Sequence, residues 1–235
     1  MTADPFTQAV RQRLRLGRLL PLGGPRDGAW ISEEATEAVL QRAAEDLPGV
    51  RLGPLRIGLA DPQDVHEPAV PPPPSALPPG PLRVTAEFAA TPSQPLPTTA
   101  DRLRDLLAAA TEGLGLAVAE VDLRVTELLD EETEPSSVRP SDAARPAETG
   151  AGDEGRAAAA VLTVPGVARL TDLLGRPVHV EERQGENELP RRHVRVELAV
   201  HADHRALDVA REVRARVEQA LPDHPTVAVL VTAVG

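Results

Sequence analysis

The chain has 235 residues and a formal net charge of −11, and its 25 basic residues are all arginine. It carries 25 Pro and 17 Gly but no Cys, no Tyr, one Trp and two Phe. Disulfide frameworks, thiolate metal sites and cysteine nucleophiles are therefore excluded. With only Phe6, Trp30 and Phe88 as aromatics, base-stacking nucleic-acid modules have nothing to stack with, and the acidic balance argues against a phosphate-backbone binder. No apolar run approaches the roughly 18 residues of a membrane span, and no signal peptide opens the chain, so a soluble cytoplasmic protein is expected.

Taken in chain order, residues 1–27 form a basic N-terminal segment. Phe6, Val10 and Leu14 share a helical stripe with Leu20 nearby, while Arg11, Arg13, Arg15 and Arg18 face a lone Asp4. The spacing predicts a basic amphipathic helix, fit to lie on its own acidic protein, on an acidic partner or on an anionic membrane. Residues 28–129 form a first α+β unit. Ser32 with Glu33 and Glu34 marks a helix start, by capping and by the helix dipole. LPGV (47–50) and LRIGL (55–59) follow, then the alternating strand RVTAEFAA (83–90). Nine prolines within 62–81 predict an extended loop, 61–82, inside this unit. The stretch 98–113 has three-and-four apolar spacing and predicts a helix, capped by Thr98 and Asp101 and ended by Gly113 and Gly115; VDLRVTEL (121–128) closes the unit. An extra strand at Gly28 to Ile31 would make the first unit βαββαβ.

Residues 130–155 hold eight acids against two arginines, which predicts a disordered acidic linker. The second unit, 156–235, repeats the order of the first: AAAAVLTVPGV, PVHVEE (177–182), VRVELAV (194–200), a helix over 203–221 started by Asp203, and VAVLVTAV (227–234). Val84, Ala86, Phe88 and Ala90 align with Val194, Val196, Leu198 and Val200. Leu103, Leu107 and Ala110 align with Val213, Val217 and Ala220. Val121, Leu123 and Val125 align with Val227, Val229 and Val231. The expected class is α+β: two repeated two-layer sandwiches, each a small sheet with helices on one face. An aliphatic core leaves no aromatic cage, and no cofactor is expected.

The run VPGV, a strand, then V-x-V-x-L-x-V, a Val-rich helix with Arg and Glu, and a V-x-V-x-V strand resembles the alkaline-shock-protein, or envelope stress response, family. The likeness covers 157–234 and, more weakly, 31–128, as a tandem, diverged pair. Two family features depart: Tyr-Gly after the long strand is replaced near Thr91-Pro92 and His201-Ala202, and Asn between the last valines is replaced by Asp122 and Ala228. The chain is also similar to uncharacterised proteins of high-GC bacteria that carry a name borrowed from a fibrous baculovirus protein, a name without functional weight. The resemblance implies a non-enzymatic cytoplasmic scaffold that self-associates and gathers at the inner face of the envelope through a membrane-anchored protein partner.

The residues themselves offer surfaces rather than chemistry. His201, Asp203 and His204, with His179 or His193, have ligand types for a metal, but a helix cap with solvated imidazoles is the simpler reading, and no metal is expected. Alternation turns His179, Glu181, His193, Arg195 and Glu197 outward on one sheet, with Arg191 and Arg192 at its end: an ion-paired or pH-sensitive partner surface, or an ordinary wet face. Ala228 and Leu230 stand outward on the last strand. An apolar outer face implies cover from the first unit, the N-terminal segment or another subunit. No nucleophile elbow, phosphate loop or lysine is present, so no catalytic residue is expected. The alternative function is a small-ligand-sensing module with a site between the repeats, lined by Arg191, Arg192 or His193.

Overall fold

The computed structural model describes residues 17–130, 152–183 and 191–235. The predicted N-terminal helix over Phe6, Val10 and Leu14, and residues 131–151 of the predicted linker, lie outside them. The elements run β1 (Leu19–Leu22), β2 (Ala29–Ser32), α1 (Glu33–Glu45), β3 (Val50–Leu59), β4 (Leu82–Ala90), α2 (Leu96–Leu114) and β5 (Val118–Leu128). They continue with α3 (Asp153–Leu162), β6 (Val167–Leu170), β7 (Val178–Arg183), β8 (Arg191–Val200), α4 (Ala206–Ala220) and β9 (Thr226–Val234). The fold is α+β, as the patterning predicts.

A small sheet has the order β3-β4-β5, and a large one β1-β2-β9-β8-β6, with β7 pairing β8 beyond β6. In both, the first connection is antiparallel and the last parallel: β3 against β4 and β4 along β5, then β6 and β7 against β8 and β8 along β9. The aligned residues occupy the same register. Val84 pairs Val121 and Phe88 pairs Val125, as Val194 pairs Val227 and Leu198 pairs Val231. A register shift follows at the same step in each, after Phe88 and after Leu198. Two backbone bonds also recur: Thr91 N–H donates to Gly49 O at 2.8 Å as His201 N–H donates to Gly166 O at 2.9 Å, and Leu129 N–H donates to Ala90 O as Gly235 N–H donates to Val200 O.

Local chemistry accounts for some of the helix boundaries. Ser32 accepts the Ala35 amide and starts α1, with Glu33 and Glu34 in the first turn. Gly115, left-handed at φ 94°, ends α2. The other predicted caps are not made. α2 starts two residues before Thr98, at Pro95 and Leu96, and α4 starts at Ala206, while Asp203 bonds His204 instead. The run Asp153 to Gly155, assigned to the linker, is the first turn of α3: its two acids suit the helix dipole.

The extra strand near Gly28 exists, but it leaves its own unit. β2 lies parallel to β9, pairing Ala29 with Val229 and Ile31 with Val231, and β1 folds back on β2. Leu20 and Arg18, expected near a helix, therefore stand in and beside a strand; a run of four buried residues suits a strand covered on both faces. The Pro-rich stretch packs as well. Leu19 N–H donates to Ser75 O and Leu77 N–H to Leu19 O, and Val70 is buried. Proline costs such a strap little, because its fixed torsion leaves less entropy to lose.

The halves share one hydrophobic core, aliphatic apart from Phe88. It runs from Leu40, Ile57, Phe88 and Leu107 in the first half to Val161, Val196, Val213 and Val229 in the second. α1 packs on α2 and β3, and also on β9 of the large sheet. No helix among the described residues is long and apolar enough to cross a membrane.

Candidate functional site

The outer face of the large sheet carries the sequence-predicted surface residues, and the structure divides them. Ala228 and Leu230 are fully buried. Their cover comes from within the chain: Leu19, Trp30 and Val70, with Ala76 and Leu174 at the margin. The apolar outer strand is thus no partner surface. Its partners are β1, β2 and the Pro-rich strap, and Trp30 Nε1 donates to Leu77 O at 3.3 Å to pin that strap.

Next to this patch β8 turns His193, Arg195 and Glu197 to the same side. They were expected in water, but His193 and Glu197 are buried. The loop after β6 closes over Glu197: Leu174 N–H donates to its Oε2 at 2.9 Å. Its Oε1 has no hydrogen bond and lies 3.5 Å from Arg195 Nε, which is itself buried and without one, as is Arg169 Nε. Burial pushes the Glu197 carboxyl up to about 7, against the pull of the Leu174 amide and Arg195, with Asp172 adding to the rise. His193 shares a 2.8 Å hydrogen bond with Thr226 Oγ1. Burial, then the nearby Arg183, push His193 down to about 4, so it is neutral through the physiological range and is not the pH-sensitive group of this face.

His179 and Glu181 stay partly exposed at the rim. His179 Nε2 lies 3.8 Å from Glu181 Oε2, and Arg183 Nε donates to Glu181 Oε1 at 2.6 Å. Burial opposes ionisation of Glu181, but the Arg183 hydrogen bond and the charges of Arg183, His179 and His193 hold its carboxyl below the usual range. Arg192 is bound inward: it donates to Asp153 at 2.5 Å and to Asp223 at 2.9 Å, tying α3 to the turn after α4. Arg191, next to it, is exposed at the strand end.

The predicted residues therefore form a graded face rather than one site. A dry patch passes into a sealed Glu197 beside a partly buried Arg195, then into a wet rim of His179, Glu181 and Arg183. Sequence reasoning missed Arg169 at the end of β6, and Thr171 and Leu174 of the loop after it, whose amides donate to Glu197 O at 3.0 Å and to Glu197 Oε2; that loop covers a face which alternation alone marks as open. A buried carboxylate bonded to the loop amide holds strand to loop and can take up a proton.

His201 and His204 do not converge with His179 or His193, and His204 Nδ1 bonds Asp203 Oδ1 at 2.8 Å. Among the described residues no group of three or more His, Asp or Glu side chains could hold a metal ion. A shallow cleft of about 260 Å³ lies between the halves, bounded by Val39 and Arg42 of α1, Ala110 and Leu114 of α2, and His204 and Val234. None of Arg191, Arg192 or His193 lines it. Arg42 donates across it to Val234 O at 2.6 Å. Neither a protein-family model nor a curated protein matches this chain.

Proposed function

We propose that the chain is a non-enzymatic interaction protein of the envelope stress response type, cytoplasmic and held at the inner face of the membrane by a protein partner. One observation carries the reading. The arginines and acids brought together in the fold are spent on clamping the chain: Arg192 to Asp153 and Asp223, Arg214 to Asp27 O, Glu33 to Ile57 N. They leave surfaces to do the work. The resemblance of 157–234 to that family supplies the kind of work.

Fractionation of cells with crosslinking and pull-down of the full chain tests this. Recovery of a membrane-anchored protein with the chain is the expected result. A strictly soluble chain with no membrane-fraction partner would count against it.

The cleft between the halves supports a second reading, a ligand-sensing module. Its volume falls just below the ~300 Å³ of ordinary small-molecule sites. Thermal shift against metabolite and metal panels separates the two. Stabilisation abolished by Val39→Trp, which fills the cleft, would favour the sensor.

A further inference from the structure

The two halves treat one equivalent edge differently. In the second half, β9 is not the end of its sheet, because β2 lies along it. Arg214 of α4 secures that junction. Its Nε donates to Val227 O at 3.1 Å, and its Nη1 donates to the carbonyls of Arg26 and Asp27, where the chain enters β2. Val229 N–H then donates to Gly28 O at 3.0 Å. In the first half the aligned arginine is Arg104, the aligned carbonyl is Val121 O, and the same bond is made: Arg104 Nε to Val121 O at 3.3 Å. Here, however, β5 pairs only with β4 among the described residues. The Nε half of the clamp is present, Arg104 Nη1 turns to Asp101 Oδ1 at 2.6 Å instead, and among the described residues no strand lies along β5 on that side.

This edge is long and carries apolar side chains. β5 has eleven residues. Val125 and Leu128 are two of the three large apolar side chains exposed among the described residues. An open edge with its row of amides and carbonyls is a template for another strand.

We propose that the β5 edge is a docking site for β5 of a second copy of this chain, paired antiparallel about Leu123. The sequence EVDLRVT (120–126) is self-complementary in that register. Leu123 meets its symmetry mate, Val121 meets Val125, and Asp122 meets Arg124 twice. The backbone agrees. The Val121 carbonyl points outward to Arg104, so alternation turns the peptide groups of Leu123 and Val125 outward too. Leu123 then forms the central hydrogen-bonded pair, flanked by Val121–Val125 pairs in which the Val121 carbonyl accepts from both Arg104 Nε and the facing amide. Asp122 and Arg124 fall in the closer non-hydrogen-bonded pairs, where opposite charges act best. Arg83, which now lies 3.6 Å from Asp122, keeps Glu120 at 2.5 Å. The pairing is isologous, so it closes at a dimer and joins two small sheets into one of six strands.

The inference deepens the interaction reading and rests on it. Its test is sedimentation equilibrium of the full chain, with circular dichroism to verify folding. Wild type forms a dimer. Arg124→Asp sets aspartates opposite each other in both pairs and weakens dimerisation about tenfold or more. The double variant Asp122→Arg/Arg124→Asp restores opposite charges and recovers affinity to within about threefold of wild type. A wild-type monomer at ~100 µM overturns the proposal, as does a dimer indifferent to Arg124→Asp or not rescued by the double variant. A monomer that still captures a membrane-anchored protein sinks this edge and leaves the interaction reading intact. A dimer with no partner in any fraction does the reverse.

Discussion

Glu33 Oε1 accepts the Ile57 amide at 3.2 Å, so a side chain from the first turn of α1 occupies the place where a further strand would bond β3. Burial works against the Glu33 carboxylate, but hydrogen bonds from Arg18, its side chain and its amide, and from Ile57 hold the carboxyl below its ordinary value. The second half repeats the device: Glu154 Oε1 accepts the Val180 amide at 3.4 Å, and Val180 pairs Val194 as Ile57 pairs Val84. Glu33→Ala leaves the Ile57 amide unbonded beside a fully buried side chain and costs about 2 kcal/mol in urea unfolding at neutral pH. The sign with pH follows from the lowered value. Its contribution is present above the unfolded value of 4.5 and disappears as pH falls below it. Glu33→Gln therefore flattens the acid limb of the stability curve, and a limb unchanged from wild type would rule this out.

Glu197 has the opposite sign. Its carboxyl is raised from 4.5 to about 7, so the folded chain holds a proton that the unfolded chain has released. That contribution is complete below about 4.5 and is lost as pH rises to about 7, a decline on the order of 3 kcal/mol. Glu197→Gln keeps the Leu174 amide bonded and carries no charge to desolvate. It is expected to remove that slope and to be the more stable protein at pH ~8. Unfolding curves at a series of pH values decide it; a variant that follows the wild-type slope would refute the assignment.

The sequence made much of this legible where one physical rule acts alone. Alternation placed Val84, Ala86 and Phe88 inward, and they are buried; the alignment of Val121 with Val227 matches the observed pairing. It failed where distant chain supplies the surroundings. Nothing local to Ala29–Ile31 says that these residues pair with β9, some 200 positions away. Nothing in Arg195 and Glu197 says that the loop at Leu174 covers them. Proline content likewise marks 62–81 as extended, but extended chain can still pack, and here Val70 does. The cap expected at Asp203 was lost to competition, because its carboxylate bonds the next side chain rather than the helix amides.

Trp30 reports on the covered outer face. It is buried against Leu19, Val70, Ala228 and Leu230, and its indole N–H holds Leu77 O. Trp30→Ala removes the largest side chain of this cluster and costs about 3–5 kcal/mol. Trp30→Phe keeps most of the volume and loses chiefly the hydrogen bond, about 1 kcal/mol. As the sole tryptophan, Trp30 gives blue-shifted emission in the native chain. Removing strap contacts by Val70→Asp shifts that emission red before global unfolding; emission unmoved by that change would mean the strap does not seal the face.

Gly49 and Gly166 follow the same proline in the two halves, at φ 74° and 89°. Both conformations favour glycine, but the surroundings differ. A Cβ on Gly49 would come within 2.5 Å of Thr91 Oγ1, on a partly exposed side chain bonded to Ser93 Oγ rather than in the core. A Cβ on Gly166 would come within 2.6 Å of Val209 Cγ2 and 2.8 Å of the His204 ring, and Val209 is a buried residue of α4. Backbone strain costs each alanine about 1–2 kcal/mol. Only Gly166→Ala must also push on the core, where overpacking adds about 1–3 kcal/mol. The Gly166 variant is therefore the less stable of the two in parallel thermal melts. Equal losses would mean that the turns are strained by backbone alone, and that the packing of α4 over the second turn contributes nothing.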